Sequence, residues 1–338
     1  MNCLLEKISK NRFEIAQEDF VSNVVSDSEI CIKDVLDQCD NNLKKVLWEF
    51  ISEGKRLRPY ILASIARMLN GDKAMAIRLA ASVEIYHNAT LIFDDIQDNS
   101  MMRRGKATLN ARFGTGVAIS FASVLRSMMM RPFADLPILN NSILVYKWIN
   151  KVAIMLSLGQ YREMMWSYLK NLDASEKDYL EMTGHKTGAL IGLSAFFGGM
   201  TASNNSYEKL YEFGYNLGIA YQILDDIGNL DTASTQHKDK FSDIYERKVT
   251  LLVVHSLTCK QEKWRNDLIT IFSKNEITEA DVRYVLDIFQ DTRALQYCHE
   301  VADYYVQNAI NLLLEVPASD SVFRDRFITE IKEIFNHA

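Results

Sequence analysis

The chain has 338 residues, 48% of them hydrophobic, with 38 basic against 44 acidic side chains and a net charge of −6. That is enough apolar mass for a sizeable core, and it argues against a nucleic-acid partner, which would want a basic face; any bound anion must be held by local cations or by metal. Only four prolines occur, at 59, 132, 137 and 317, and β-branched alternation at period two is hard to find, so the expected fold is all-α. The N-terminal stretch mixes both charges without an apolar core of the signal type. Cys3, Cys31, Cys39, Cys259 and Cys298 form no C-x-x-C pair, which predicts reduced thiols in a cytoplasmic protein. Thr187 to Met200 is the longest nearly uncharged stretch, well short of the roughly 20 residues of a membrane span. Short polar breaks at Asn70-Gly71-Asp72, Pro137 to Asn141, Asn171 to Ser175, Thr201 to Ser206 and Thr232 to Lys240 separate helical stretches without any linker. A single domain over 1–338 is expected, with N-terminal helices in 1–45, the motif-bearing core in 46–260 and C-terminal helices in 261–338.

In chain order, the first charged feature is Gly54-Lys55-Arg56-Leu57-Arg58-Pro59, three cations in four positions before a proline-started helix. It reads either as a solvated turn or as an anion cradle. His87 lies seven residues before Asp94, two turns back on the same helix face; it is either a satisfied core histidine or a donor to an anion. Asp94 to Asp98 (DDIQD) places Asp94 and Asp98 on one face, and Asp225 to Asp231 (DDIGNLD) does the same with Asp225 and Asn229. Carboxylates stacked in this way repel and need a cation; hard oxygen ligands on a rigid element suit Mg²⁺ completed by substrate phosphate. Arg103 and Arg104 follow closely enough to reach phosphate oxygens at that site, or to form a salt-bridged pair. Gly114-Thr115-Gly116 reads as a helix junction rather than a phosphate loop, and Met128 to Met130 with Met164-Met165 as core filling or as a tolerant wall for a long hydrocarbon. Asp173-Ala174-Ser175-Glu176 resembles a helix start capped by Asp173. His185-Lys186-Thr187-Gly188 and the pair Lys238 and Lys248 add cations, the pair bracketing Thr232 to Lys240, a candidate lid.

Taken together, HNATLIFDDIQDNSMMRRGKA (His87 to Ala107) and YQILDDIGNLDTASTQHKDKFSDIYERKVTLLVVHSL (Tyr221 to Leu257) resemble the trans-isoprenyl diphosphate synthases, and within them the eukaryotic-type geranylgeranyl diphosphate synthases. The resemblance runs from about Gly54 to His255. It implies an all-α, antiparallel helical bundle around a central cavity. Lys55, Arg58, His87 and Arg104 would hold isopentenyl diphosphate. Asp94 and Asp98, facing Asp225 and Asp226, would bind Mg²⁺ with the allylic diphosphate, which Arg103, Lys186, Thr187, Gln222, Lys238 and Lys248 would grip. A homodimer is also implied. The chain departs from the family pattern at three places. Tyr161 stands where a small residue is usual and Glu163 where aspartate is; Lys106 to Asn110 lack a proline and a histidine; Arg247 replaces a glycine before Lys248.

The chemistry so implied is ionisation of an allylic diphosphate, with Asp94, Asp98, Lys186 and Asp225 at its centre, followed by attack of the isopentenyl double bond in a pocket closed to water. Ala89 and Thr90, both small, sit below Asp94 and let a growing tail pass toward Tyr86, which suggests a twenty-carbon product. Two rivals are a terpene cyclase on the same scaffold, which has no use for the acceptor cradle, and a non-catalytic subunit, which has no use for the aspartates.

Overall fold

The computed structural model describes residues 19–133, 142–202, 207–230, 241–259 and 261–336. Its helices are α1 (Asp19–Leu36), α2 (Asn41–Ser52), α3 (Leu57–Met68), α4 (Lys73–Gln97), α5 (Leu109–Phe113), α6 (Thr115–Met128), α7 (Ser142–Leu169), α8 (Glu176–Thr183), α9 (Ala189–Met200), α10 (Tyr207–Gly228), α11 (Ser242–Tyr245), α12 (Leu251–Thr258), α13 (Glu262–Ser273), α14 (Glu279–Asp291), α15 (Ala294–Leu314) and α16 (Ser321–Asn336). Among the described residues the only strands form a two-residue antiparallel hairpin, with Met102 opposite Ala107 and Arg103 opposite Lys106. The fold class is all-α.

Helix starts follow side-chain chemistry. Asp40 accepts from the Asn42 and Leu43 N–H groups, and Asp72 from Met75, satisfying donors that the first turn leaves unpaired. The cap of α8 is Ser175, not Asp173: Ser175 and Asp178 form a reciprocal capping box, two residues further on than the sequence suggested. The difference is physical, because Asn171 is drawn into a turn of its own, its side chain accepting from the Asp173 N–H.

Two helices sit at the centre, one because it is apolar all round and the other because it carries two apolar faces. Every residue of α9 is buried, and it packs against α10, α3, α4 and α7. Helix α4 serves both hydrophobic clusters, presenting Leu79, Ala80 and Val83 to the larger and Ala81, Ile85, Ala89 and Ile92 to a smaller one shared with α1, α2 and α6. Between α8 and α9 the chain makes one π turn, Gly184–Gly188, packed against α10 and α7. Glycine makes that approach possible: a Cβ on Gly218 would fall 2.4 Å from the Gly188 Cα, and one on Gly159 would fall 2.5 Å from the Lys186 nitrogen. The π turn therefore lies directly on α10 and α7 and carries Lys186 and Thr187 with it.

Candidate active site

The C-terminal ends of α4 and α10 open onto one cavity of about 1460 Å³. Asp94 lies in the last turn of α4 and Asp98 caps it; Asp225 lies in the last turn of α10. Acids are disfavoured at the negative end of a helix dipole, so both motifs need cations nearby. The cavity supplies them: Lys55, Arg58, Arg103, Arg104, Lys186 and Lys248 line it with Asp94, Asp98 and Asp225, and so do His87, Thr187 and Gln222. Lys238 and the candidate lid lie outside the described residues.

The acidic side is organised by lysine. Lys248 Nζ lies 2.9 Å from Asp98, 2.8 Å from Glu246 and 3.5 Å from Asp243. Lys186 pairs with Glu163 and stands 3.6 Å from Asp94. Burial works against both ammonium groups, but the surrounding carboxylates, Glu163 and Asp94 for Lys186 and Asp243, Glu163 and Asp98 for Lys248, hold them above the ordinary lysine range. Burial and then the neighbouring Asp94 raise the Asp98 carboxyl, against the pull of Lys248 and Lys186. Arg103 bonds Asp95 at 2.6 Å and reaches Asp94 at 3.4 Å. Asp95 itself is buried, and that burial, against the pull of Arg103, pushes it up to about 6.

Two turns back along α4 a cationic group surrounds His87. Arg58 Nη1 lies 3.1 Å from His87 Nε2. Burial first, then Arg58, Arg104 and Arg103, hold the imidazole well below its ordinary pKa, so it is neutral. Arg56, the middle cation of the turn, plays a different part from its neighbours. Its backbone is left-handed (φ 60°), its side chain is buried, and its guanidinium bonds Glu84 at 3.0 Å, Glu29 at 2.9 Å and the Ile51 carbonyl at 2.8 Å. That anchor fixes the turn whose flanking Lys55 and Arg58 line the cavity. In the sequence Glu84 goes unmarked and Arg56 reads only as one of three cations in the turn; no local spacing marks the pair, which lies 28 positions apart.

The second motif differs from expectation in two side chains. Asp226, expected to face the metal with Asp225, also lines the cavity, but both of its oxygens are engaged: Tyr179 Oη donates to Oδ2 at 2.7 Å and Gln222 Nε2 to Oδ1 at 2.8 Å. Burial, and next the charge of Asp243, push its carboxyl up to about 7. Asn229 does not simply offer its amide oxygen to the cavity; the oxygen accepts from the Asp243 N–H at 3.3 Å while the amide nitrogen donates to Ser242 at 2.9 Å, stapling the start of α11. Thr187 gives its only hydroxyl proton to Gln222 Oε1 at 2.6 Å. Tyr161 lines the cavity yet stays largely exposed, at its rim.

Among the described residues no three acids, histidines or cysteines stand close enough to hold a metal ion by themselves. The donor set nevertheless fits Mg²⁺, an ion that takes one or two carboxylates and completes its shell with water and phosphate oxygens.

The profile of the polyprenyl synthetase family matches residues 40–289. The chain belongs to that family. It is 34% identical over 278 residues to a geranylgeranyl diphosphate synthase of Saccharolobus solfataricus, covering 80% of this chain and 82% of that one. It is 35% identical over 292 residues to a geranylfarnesyl diphosphate synthase of Aeropyrum pernix, covering 84% and 87%. The solved structure of a geranylgeranyl pyrophosphate synthetase from Pyrococcus horikoshii superposes with a TM-score of 0.81 at 29% identity, covering 94% of this chain and 98% of that one. The DDxxD and DDxxN motifs at the ends of α4 and α10 are among the residues lining the cavity of this polyprenyl synthetase.

Proposed function

We propose that this protein is a Mg²⁺-dependent trans-prenyltransferase that condenses an allylic diphosphate with isopentenyl diphosphate, with geranylgeranyl diphosphate as its product. The observation that carries this reading is the presence of two cation sets on one cavity, one beside the aspartates and one around His87. Arg103, Lys186, Gln222 and Lys248, with Lys238, bind the allylic diphosphate. Lys55, Arg58, His87 and Arg104 bind the acceptor, a neutral imidazole leaving its N–H free to donate without adding charge. Mg²⁺ held by Asp94, Asp98 and Asp225 would supply further positive charge at the leaving oxygens. The lysines and Arg103 stabilise the electron pair that departs with the diphosphate as the allylic C–O bond breaks. Leu156, Met164, Leu190 and Leu224 give the cavity its apolar wall, so that the isopentenyl double bond, rather than water, meets the cation. A carbon–carbon bond forms, and a proton leaves the extended chain, with the released diphosphate as its acceptor.

A cyclase would keep the aspartates and discard the second cation set, so the full acceptor cradle favours condensation. The experiment is incubation with Mg²⁺ and farnesyl diphosphate, with and without isopentenyl diphosphate, followed by analysis of diphosphates and volatiles. Elongation that requires the acceptor supports the proposal; hydrocarbon or alcohol formed without it overturns it.

We place the working form in the cytoplasm as a homodimer. Supporting the first, Cys31, Cys39, Cys259 and Cys298 are free thiols, and no described helix is long and apolar enough to cross a membrane. Supporting the second, Ile143, Tyr146, Ile154 and Leu158 fall on one face of α7 and are each more than half exposed, and Val117 and Ile119 of α6 are exposed as well. Ile154→Lys with Leu158→Lys should convert the dimer to monomer in sedimentation velocity; a wild-type monomer refutes the assembly.

A further inference from the structure

We infer that Tyr179 is a positioning residue for the allylic diphosphate, acting through Asp226 on Gln222, and that Thr187 belongs to the same holding chain rather than to the direct diphosphate contacts. The inference rests on the prenyltransferase reading and deepens it. Tyr179 is buried in α8, far in sequence from α10; its hydroxyl has Thr183 as a neighbour one turn on, but gives its own proton elsewhere. Its proton goes to Asp226 Oδ2 at 2.7 Å. Asp226 Oδ1 takes one proton of the Gln222 amide at 2.8 Å.

That bond decides which way the amide faces. With Nε2 on the carboxylate, the carbonyl oxygen must turn toward Thr187, whose hydroxyl donates to it at 2.6 Å. Two consequences follow from counting protons. Thr187 has one hydroxyl proton and has spent it on Gln222, so it has none for a phosphate oxygen. Gln222 has two amide protons and has spent one, and the other is the donor this chain of bonds leaves for the cavity that Gln222 lines. A diphosphate can only accept, so an amide turned the other way would present its oxygen to the anion and repel it. Without the Tyr179 bond, Asp226 can swing away and the amide loses its fixed orientation.

The test compares wild-type protein with Tyr179→Phe, Gln222→Met and the double variant, measuring melting temperature and steady-state kinetics with Mg²⁺, farnesyl diphosphate and isopentenyl diphosphate. Tyr179→Phe keeps the ring and its packing. It should raise KM for the allylic substrate on the order of 10-fold, as expected for one lost buried hydrogen bond, with KM for isopentenyl diphosphate unchanged. The double variant should be no worse than Gln222→Met alone, because both act on one donor. Additive losses, or equal rises in both KM values, would mean that Tyr179 only packs, and would overturn the inference. Should Tyr179→Phe fail to fold, Asp226→Asn probes the same chain and must give the same one-sided rise in KM; a variant with wild-type KM overturns the proposal. If wild-type protein itself shows no acceptor-dependent elongation, the prenyltransferase reading is what fails.

Discussion

Arg247 shows how a single position can leave the family pattern and keep the fold. Glycine is the usual residue there because the backbone is left-handed, and Arg247 indeed has φ 58°. The strain is offset by its guanidinium, which donates to the Lys274 carbonyl at 2.8 Å and to that of Asn275 at 2.9 Å, joining the Lys248 turn to the end of α13. Both Arg247→Ala and Arg247→Gly lose those bonds, but only the second relieves the backbone. The glycine variant should therefore be the more stable of the two by about 1 kcal/mol in urea denaturation. His87 carries the other prediction at this scale. Its folded pKa lies below the ordinary 6.5, so just below that value the unfolded chain binds a proton that the folded one does not. Its contribution to stability is complete above 6.5 and is lost as the pH falls. Between about pH 7 and pH 5 the melting temperature of His87→Gln should fall less steeply than that of wild type. Parallel curves would mean that the imidazole is protonated in the native state.

Among the elements, the π turn at Gly184–Gly188 is the piece on which the site depends. Nothing in the spacing of His185-Lys186-Thr187-Gly188 announced a π turn; the motif was legible as a cluster of cations, while its geometry came from glycines on three separate helices meeting backbone to backbone. Gly218→Ala would push a methyl into the Gly188 Cα. It should cost about 1–3 kcal/mol of stability in denaturant titration and lower activity as Lys186 moves away from Asp94 and Glu163. An alanine variant with wild-type stability and rate would show that the two backbones have room to spare. Helices α4 and α10 were better marked, because residues four apart share a face wherever a helix forms, and their motif spacing needs no partner to be read. Their inward-facing members were not, since Asp226 is taken by Tyr179 and Glu84 by Arg56, both from other helices.

The cavity belongs to the whole molecule, and so does chain length. Ala89 is buried and lines the cavity below Asp94, with Thr90 beside it and Tyr86 further down. Ala89→Phe should shorten the product from twenty carbons to fifteen, read by chromatography of the dephosphorylated alcohols; an unchanged distribution would show that another face sets the length. Composition and local periodicity alone determined that this chain is helical, where its acidic motifs sit and which cations accompany them, because those properties depend on residues within a few turns of one another. What tertiary structure decided is which charges are working groups and which are anchors. Lys248 meets Asp98 across 150 positions and Arg56 meets Glu84 across 28. Whether an arginine faces a cavity or a buried glutamate depends on which helix packs beside it, and that arrangement comes from burying apolar surface over the entire chain.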